Sequence, residues 1–237
     1  MKEVRYFYVP DAPQSDCLPD EEAQHAIRVL RMSEGDSIVL LDGVGNFYDA
    51  VITATDKRNC HYKILSSRHE DKYWQGHIHL AMAPTKNIDR TEWTVEKATE
   101  IGFDELTFLR CQFSERTQVK DDRIERILVS AIKQSKKAQK PLLNSLIDFR
   151  TFIQSQSAVK HKFICHCYEG EKPLLHDVLP KGDDALVMIG PEGDFSIDEV
   201  RMAEAAGFQS VSLGAARLRT ETAALVAVHL MNINNSI

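Results

Sequence analysis

Two short stretches bring together residue types that could do chemistry. In "LVMIGPEGDFSIDEV" (186–200) the acid Glu192 stands between Gly190 and Gly193, and Pro191 stiffens the turn. Glycine permits backbone angles and close approaches that other residues forbid. In "SLGAARLRTETAALVAVHL" (212–230) Gly214, Arg217 and Arg219 lie in the joint between two apolar segments. Arginine normally keeps to solvent. A guanidinium fixed at that joint reads in two ways: as the partner of a structural carboxylate such as Glu221, or as a cation aimed at an anionic or polar ligand. Glu192, exposed between two special backbone positions, favours a binding site over a plain turn.

Several chemistries are excluded. The first stretch is no phosphate loop, because it lacks the G-K-[ST] ending and Glu192 would repel phosphate. No dinucleotide fingerprint is present, and "AMAPTKNID" (81–89) has no glycine after the first strand of its domain. Cys165, His166 and Cys167 in "FICHCYE" invite a zinc reading. There is no C-x-x-C pair, however, and strand alternation would send His166 to the face opposite both cysteines. Small buried strand cysteines and no metal are the favoured expectation.

The elements that must hold these residues follow from periodicity. The first seventy residues read as a small β-rich unit. It has a strand in "VRYFYVP", a short helix in "DEEAQHAIRVLRM", a hairpin around Gly43 and Gly45, and a strand in "HYKILSS". "SSRHEDKYWQG" reads as a linker. Beyond it strands alternate with helices, which predicts an α/β domain with a mostly parallel sheet. The expected helices are "DRTEWTVEKATEIG" with Asp89 as cap, a long one from Asp121 to Gln139, "SIDEVRMAEAAG", and "TETAALVAVHLMNI" capped by Thr220. Ser196 and Glu199 have capping-box spacing, and Phe195 with Val200 suits a hydrophobic staple. The last helix is apolar nearly all round, so it is expected in a core or a subunit interface. The expected domains are 1–72 and 73–237.

The chain has 237 residues, a formal net charge of −6 and five cysteines. No apolar run is long enough to span a bilayer, and "MKEVRYFYVP" lacks a signal-peptide core, so the expectation is cytoplasmic with no membrane partner. Negative net charge argues weakly against nucleic acid, but local distribution matters more. "RIERILVSAIKQSKKAQK" carries Arg123, Arg126, Lys133, Lys136, Lys137 and Lys140 against one acid, Glu125. That run is either a solvated helix face or a phosphate-binding stripe.

"IGPEGDFSIDEV" followed by "GFQSVSLGAARLRTETAALVAV" resembles the signature of the SPOUT methyltransferases and, more closely, of the RsmE family. "HAIRVLRM", "GDSIVLLDGVGNFY", "KNIDRTEWTVEKATEIG", "FSERT" and "AIKQSKK" are similar to that family's patterns in the same order along the chain. The resemblance implies a PUA-like N-terminal β-barrel that helps to bind RNA. It also implies a C-terminal α/β domain with a deep trefoil knot that binds S-adenosylmethionine (SAM), and a homodimer. The implied reaction is methylation of N3 of a uridine in 16S ribosomal RNA, free or in the assembled small subunit. Cofactor contacts are implied at Gly190, Glu192, Gly193, Leu213, Gly214, Leu218 and Arg219. Arg219, Glu221 and Glu192 stand as the catalytic candidates, Arg219 stabilising charge on the uracil and an acid accepting the proton or orienting Arg219. A phosphate track is expected over Arg5, Arg28, Arg31, Lys86, Arg116, Lys133, Lys136 and Lys137. The chain departs from the family pattern at Asp194, often glycine, at Ala216–Arg217, often arginine–isoleucine, and at Lys137, often arginine. Rival readings are a SPOUT enzyme acting on tRNA or a ribose, and a non-catalytic RNA-binding assembly factor.

Overall fold

The computed structural model describes residues 4–156 and 158–236. The outermost residues of the two expected domains, 1–3 and 237, lie outside that range. The chain divides into two compact units. One runs to Lys72 and takes in Val129–Lys140; the other holds Tyr73–Leu128 and the chain from Pro141 onward.

The first unit is built on a four-stranded sheet in the order β1 (Arg5–Tyr8), β2 (Ser37–Leu41), β3 (Asn46–Thr55), β4 (Cys60–His69). β1 runs parallel to β2, and the other pairs are antiparallel. The β2–β3 hairpin turns where expected, with φ of 85° at Gly43 and 109° at Gly45. Asp42 fixes it by accepting from the amides of Val44 and Asn46. β4 extends to His69, so the expected linker begins as strand. The helix expected over "DEEAQHAIRVLRM" is one α-turn, α1 (Asp20–Gln24), followed by a π-turn at His25–Val29. Ala23 and Ala26 pack there on Phe7, Ile38, Leu40 and Ile52.

The second unit is a three-layer α/β sandwich. Its sheet has six strands in the order β10 (Gln209–Val211), β8 (His161–Cys165), β9 (Ala185–Ile189), β5 (Ile78–Met82), β6 (Glu105–Arg110), β7 (Leu142–Asp148). Every pair is parallel. β5 and β9 are buried at every residue, as expected for central parallel strands covered on both faces. Val95 and Ala98 of α2 (Ile88–Ile101), Ile124 and Leu128 of α3 (Asp121–Ser135), Leu175 of α5 (Leu175–Val178), and Ala224, Ala227, Val228 and Met231 of α7 (Thr220–Asn235) cover one face. Phe149, Phe152 and Ile153 of α4 (Phe149–Ser155) and Val200 and Ala203 of α6 (Ile197–Ala205) cover the other. Among the described residues no helix is long and apolar enough to cross a membrane.

Helix ends needed the most correction. α2 is capped by Asn87, whose side chain accepts from the Asp89 amide, not by Asp89 itself. α3 stops at Ser135 rather than Gln139, because Lys136 turns to a φ of 54° before Pro141 is reached. The N-cap of α7 is Arg219, without a side-chain cap bond, and Thr220 is the first helical residue. α6 has the full expected capping box of Ser196 and Glu199.

Candidate functional site

Chain order reverses between β9 and β5, and in open parallel sheets ligands lie beyond the carboxyl ends of strands near such a switch. A cavity of about 820 Å³ opens there. Three loops wall it: the one leaving β8 (Cys165, His166, Cys167, Lys172), the one leaving β9 (Gly190, Pro191, Glu192, Asp194), and the chain from Val211 to Thr220. Arg90 of α2 and Ala223 of α7 complete the wall. The volume falls in the usual range for small-molecule pockets, roughly 300–1,000 Å³.

The β9 loop is rigid for reasons visible atom by atom. A Cβ on Gly190 would stand 3.0 Å from the Phe195 amide nitrogen and 3.2 Å from the Asp194 carbonyl carbon, so any side chain there would push the loop backbone aside. Asp194 has a φ of 66°, the left-handed region that aspartate tolerates better than most side chains. Its carboxylate accepts from the Cys167 amide and from its own neighbour Phe195, each at 2.8 Å. An aspartate thereby serves where the resembling family often has glycine, and it ties the β9 loop to the β8 loop. At Gly214 φ is 128° and no atom lies within 4 Å of a built Cβ, so backbone faces open space.

A second set of bonds braces neighbouring loops. Glu192 Oε1 accepts from the Lys86 amide at 2.9 Å. Lys86 Nζ pairs with Glu115 at 2.7 Å. Arg116 donates to the carbonyls of Thr85 and Lys86. Glu199, while capping α6, also accepts from the Gln112 amide. Glu192 is thus a latch between the carboxyl ends of β9 and β5, the Lys86–Glu115 pair is exposed, and Arg116 is held by backbone carbonyls that leave its charge uncompensated.

The remaining charges are unevenly held. Among the described residues Arg219 is exposed and makes no ion pair. Glu221 is buried and lies outside the cavity wall; it pairs not with Arg219 but with Arg90, Oε1 to Nη1 at 3.4 Å. His166 Nε2 meets Ser210 Oγ at 3.0 Å, and burial followed by the Lys172 charge lowers its pKa. Burial raises the Cys165 thiol to about 12, and burial with Asp194 raises Cys167, so neither is a ready thiolate. β8 ends at Cys165, so strand alternation does not reach His166, and all three residues of "CHC" touch the cavity.

This geometry is a ligand pocket made of backbone, glycine and cations, and the comparisons give it a chemical setting. Residues 72–232 match the family described as RNA methyltransferase domain, and residues 18–65 match RNA methyltransferase PUA domain. The chain belongs to this RNA methyltransferase family. A Porphyromonas gingivalis crystal structure, described as a probable rRNA-methyltransferase, superposes with a TM-score of 0.90 at 44% identity over 98% of both chains. The Neisseria gonorrhoeae Ribosomal RNA small subunit methyltransferase E bound to S-adenosyl methionine superposes with a TM-score of 0.86 at 28% identity, again over 98% of both. Ribosomal RNA small subunit methyltransferase E of Aquifex aeolicus is 29% identical over 221 residues, 90% of this chain and 92% of the relative.

In this RNA methyltransferase the cavity wall gathers Gly190, Glu192, Leu213, Gly214, Leu218 and Arg219 from the residues expected by sequence. It leaves out Gly193, where a built Cβ would stand 3.0 Å from Phe113 Cβ, and Glu221, which reaches the wall only through Arg90. Of the basic residues, Arg5, Arg28, Arg31 and Lys136 are exposed in the first unit, and Lys136 Nζ stands 5.7 Å from the Tyr6 ring centroid. Lys133 is bound to Glu22 at 2.6 Å, and Lys137 is buried. Sequence reasoning missed Arg90 and Lys172. Arg90 had a readable signal: it is in the first turn of the helix that follows the first strand of the sheet, just past a carboxyl end.

Proposed function

We propose that this chain is a SAM-dependent methyltransferase that modifies N3 of a uridine in 16S ribosomal RNA, with the small ribosomal subunit or its RNA as partner and the cytoplasm as its place of action. The observation that carries this reading is the glycine-walled, cation-rimmed cavity at the carboxyl ends of β8, β9 and β10, in a chain whose full-length relatives are small-subunit rRNA methyltransferases. The residues fit the cofactor. Gly190, Leu213, Gly214 and Leu218 offer backbone groups and small apolar surface to a flat adenosine. We further propose that the chain from Ser212 to Arg219 forms the closing segment of a trefoil knot, that the first unit is a PUA-like barrel, and that the enzyme works as a homodimer. Pairing of Ser212 with Pro173 and Leu175 supports the first of these, by fixing that segment against the chain leaving β8. Trp93 and Ile233, exposed on α2 and α7, support the last.

Bound SAM would supply an electrophilic methyl group on a sulfonium sulfur. The methyl would pass to N3 as the carbon–sulfur pair stayed with sulfur, and the N3 proton would leave to water. The chain's task is to hold an unpaired base in line and to favour its deprotonated form. Arg219 at the rim is a cation for the uracil oxygens, where negative charge develops. Glu192 braces the Lys86 amide and Glu221 lies beside Arg90, which gives each a scaffolding role. Titration calorimetry with SAM tests the assignment. The wild-type protein is expected to bind and Gly214→Val to lose binding; a φ of 128° strains any side chain, so its melting temperature is expected to fall, and circular dichroism at the assay temperature checks that the variant is folded. Undiminished binding in the variant contradicts the site.

A further inference from the structure

Glu221 is a costly residue in its setting. Its side chain is only 10% exposed. Oε2 is sealed from solvent without a hydrogen-bond partner, and Oε1 has only the Arg90 guanidinium, at 3.4 Å. A buried carboxylate is normally retained only where cations and donors satisfy it. Among the described residues Arg90 alone pairs with it, at a separation longer than a closed Arg–carboxylate pair. Arg90 itself is 43% exposed and lines the cavity.

The backbone beneath Arg90 is firmly set. The Arg90 amide donates to the Asn87 carbonyl, and the Arg90 carbonyl accepts from Thr94 Oγ1 at 2.8 Å. Thr85 and Thr91, buried together, lock the turn that leads into α2. Glu221 is equally fixed in the first turn of α7, which packs on α2 through the shared core of Val95, Ala98, Ala224 and Val228. The Arg219 backbone is held as well, its carbonyl accepting from the Ala223 amide at 2.8 Å, but its side chain is exposed and has no ion pair among the described residues. A cation already held in place stabilises developing charge without first having to be ordered.

We propose that Arg90 is a second and better-fixed cation of the methyl-transfer site, meeting an oxygen of the target uracil as N3 gives up its proton, and that Glu221 is the positioning residue that holds it. This rests on the uridine-N3 reading above. The Arg90–Glu221 pair, already formed at 3.4 Å, shortens as the base is seated. Catalytic hydrogen bonds commonly tighten only when substrate is present.

The test uses the full chain, small ribosomal subunits lacking the modification, and saturating SAM. Single-turnover methylation rates are measured beside SAM affinity and melting temperature, with the product nucleoside identified by mass spectrometry. Arg90→Ala is expected to slow methylation by about a hundredfold or more while SAM affinity changes less than about threefold. Arg90→Lys is expected to recover part of the rate, because the charge remains and the fork is lost. Glu221→Gln, close in size to the native residue, is expected to slow the step by at least about tenfold. Combined with Arg90→Ala it is expected to add little, since the two act as a unit. Wild-type rates in Arg90→Ala, or losses that multiply in the double variant, overturn the Arg90–Glu221 assignment while the N3 product leaves the reaction standing. A wild-type product methylated elsewhere overturns both.

Discussion

Asp194 offers a sharp test of how the β9 loop is held. Its φ of 66° penalises an ordinary side chain, and its carboxylate collects two amides at 2.8 Å. Losing both hydrogen bonds at a half-buried site costs about 2 kcal/mol, roughly 1 for each. Placing alanine in the left-handed region costs about 1 kcal/mol more. Asp194→Ala is therefore expected to destabilise the second unit by about 3 kcal/mol and Asp194→Gly by about 2. Asp194→Asn keeps one acceptor and tolerates the backbone, so its loss is about 1 kcal/mol. Both tryptophans, Trp74 and Trp93, belong to the second unit, so urea denaturation followed by their fluorescence reports on the right part of the chain. At 2–4 °C per kcal/mol the alanine variant melts about 6–12 °C below wild type. If Asp194→Ala is as stable as Asp194→Gly, the backbone argument is wrong. If Asp194→Asn matches Asp194→Ala, the hydrogen bonds are not contributing.

Acid stability follows from a buried network far from the pocket. Burial lowers His79 to about 4, and a hydrogen bond from His77, with help from Asn144, lowers Glu105 to about 2. In each case the unfolded chain binds a proton that the folded chain refuses, His79 between about pH 6.5 and 4 and Glu105 between about 4.5 and 2. Stability therefore falls as pH falls through both windows. The melting temperature is expected to drop between pH 7 and 5, and to drop less in His79→Gln; an equal drop in both rules His79 out. On RNA, Lys136→Ala and Arg5→Ala are each expected to weaken binding at every sequence and to lower the salt slope by about one. An unchanged slope means that this face of the first unit does not meet phosphate. Sedimentation is expected to give a dimer at micromolar concentration, and a monomer counts against the twofold assembly.

The sequence made some of this legible and hid the rest for physical reasons. The α6 start could be read because Ser196 and Glu199 form a local device whose parts are three residues apart. The same is true of the Gly43–Gly45 hairpin, whose turn geometry only glycine meets easily. The strand β7 and helix α4 were missed, since "LLNSLID" mixes polar residues into a half-buried strand and α4 has only seven residues. Three long-range partnerships were also out of reach. Glu192 with Lys86 spans 106 residues, Glu199 with Gln112 spans 87, and Arg90 finds Glu221 across two helices. Of the expected glycines, Gly190 and Gly214 line the cavity and Gly193 does not; a strand end followed by a helix start is a local pattern that spacing can show. Of the two readings offered for Arg219, pairing with Glu221 does not occur, because residues two apart at a helix N-terminus point in different directions and Glu221 pairs with Arg90 instead.

The central claim is methyl transfer to N3 of a small-subunit rRNA uridine. Its most direct test is mass spectrometry of nucleosides from 16S rRNA of a strain lacking this gene, compared with the parent strain and with the deletion complemented by wild-type protein. The account predicts one 3-methyluridine that disappears in the deletion and returns with the wild-type chain. An unchanged modification pattern, or loss of a methyl group on a ribose or a carbon instead, would contradict it.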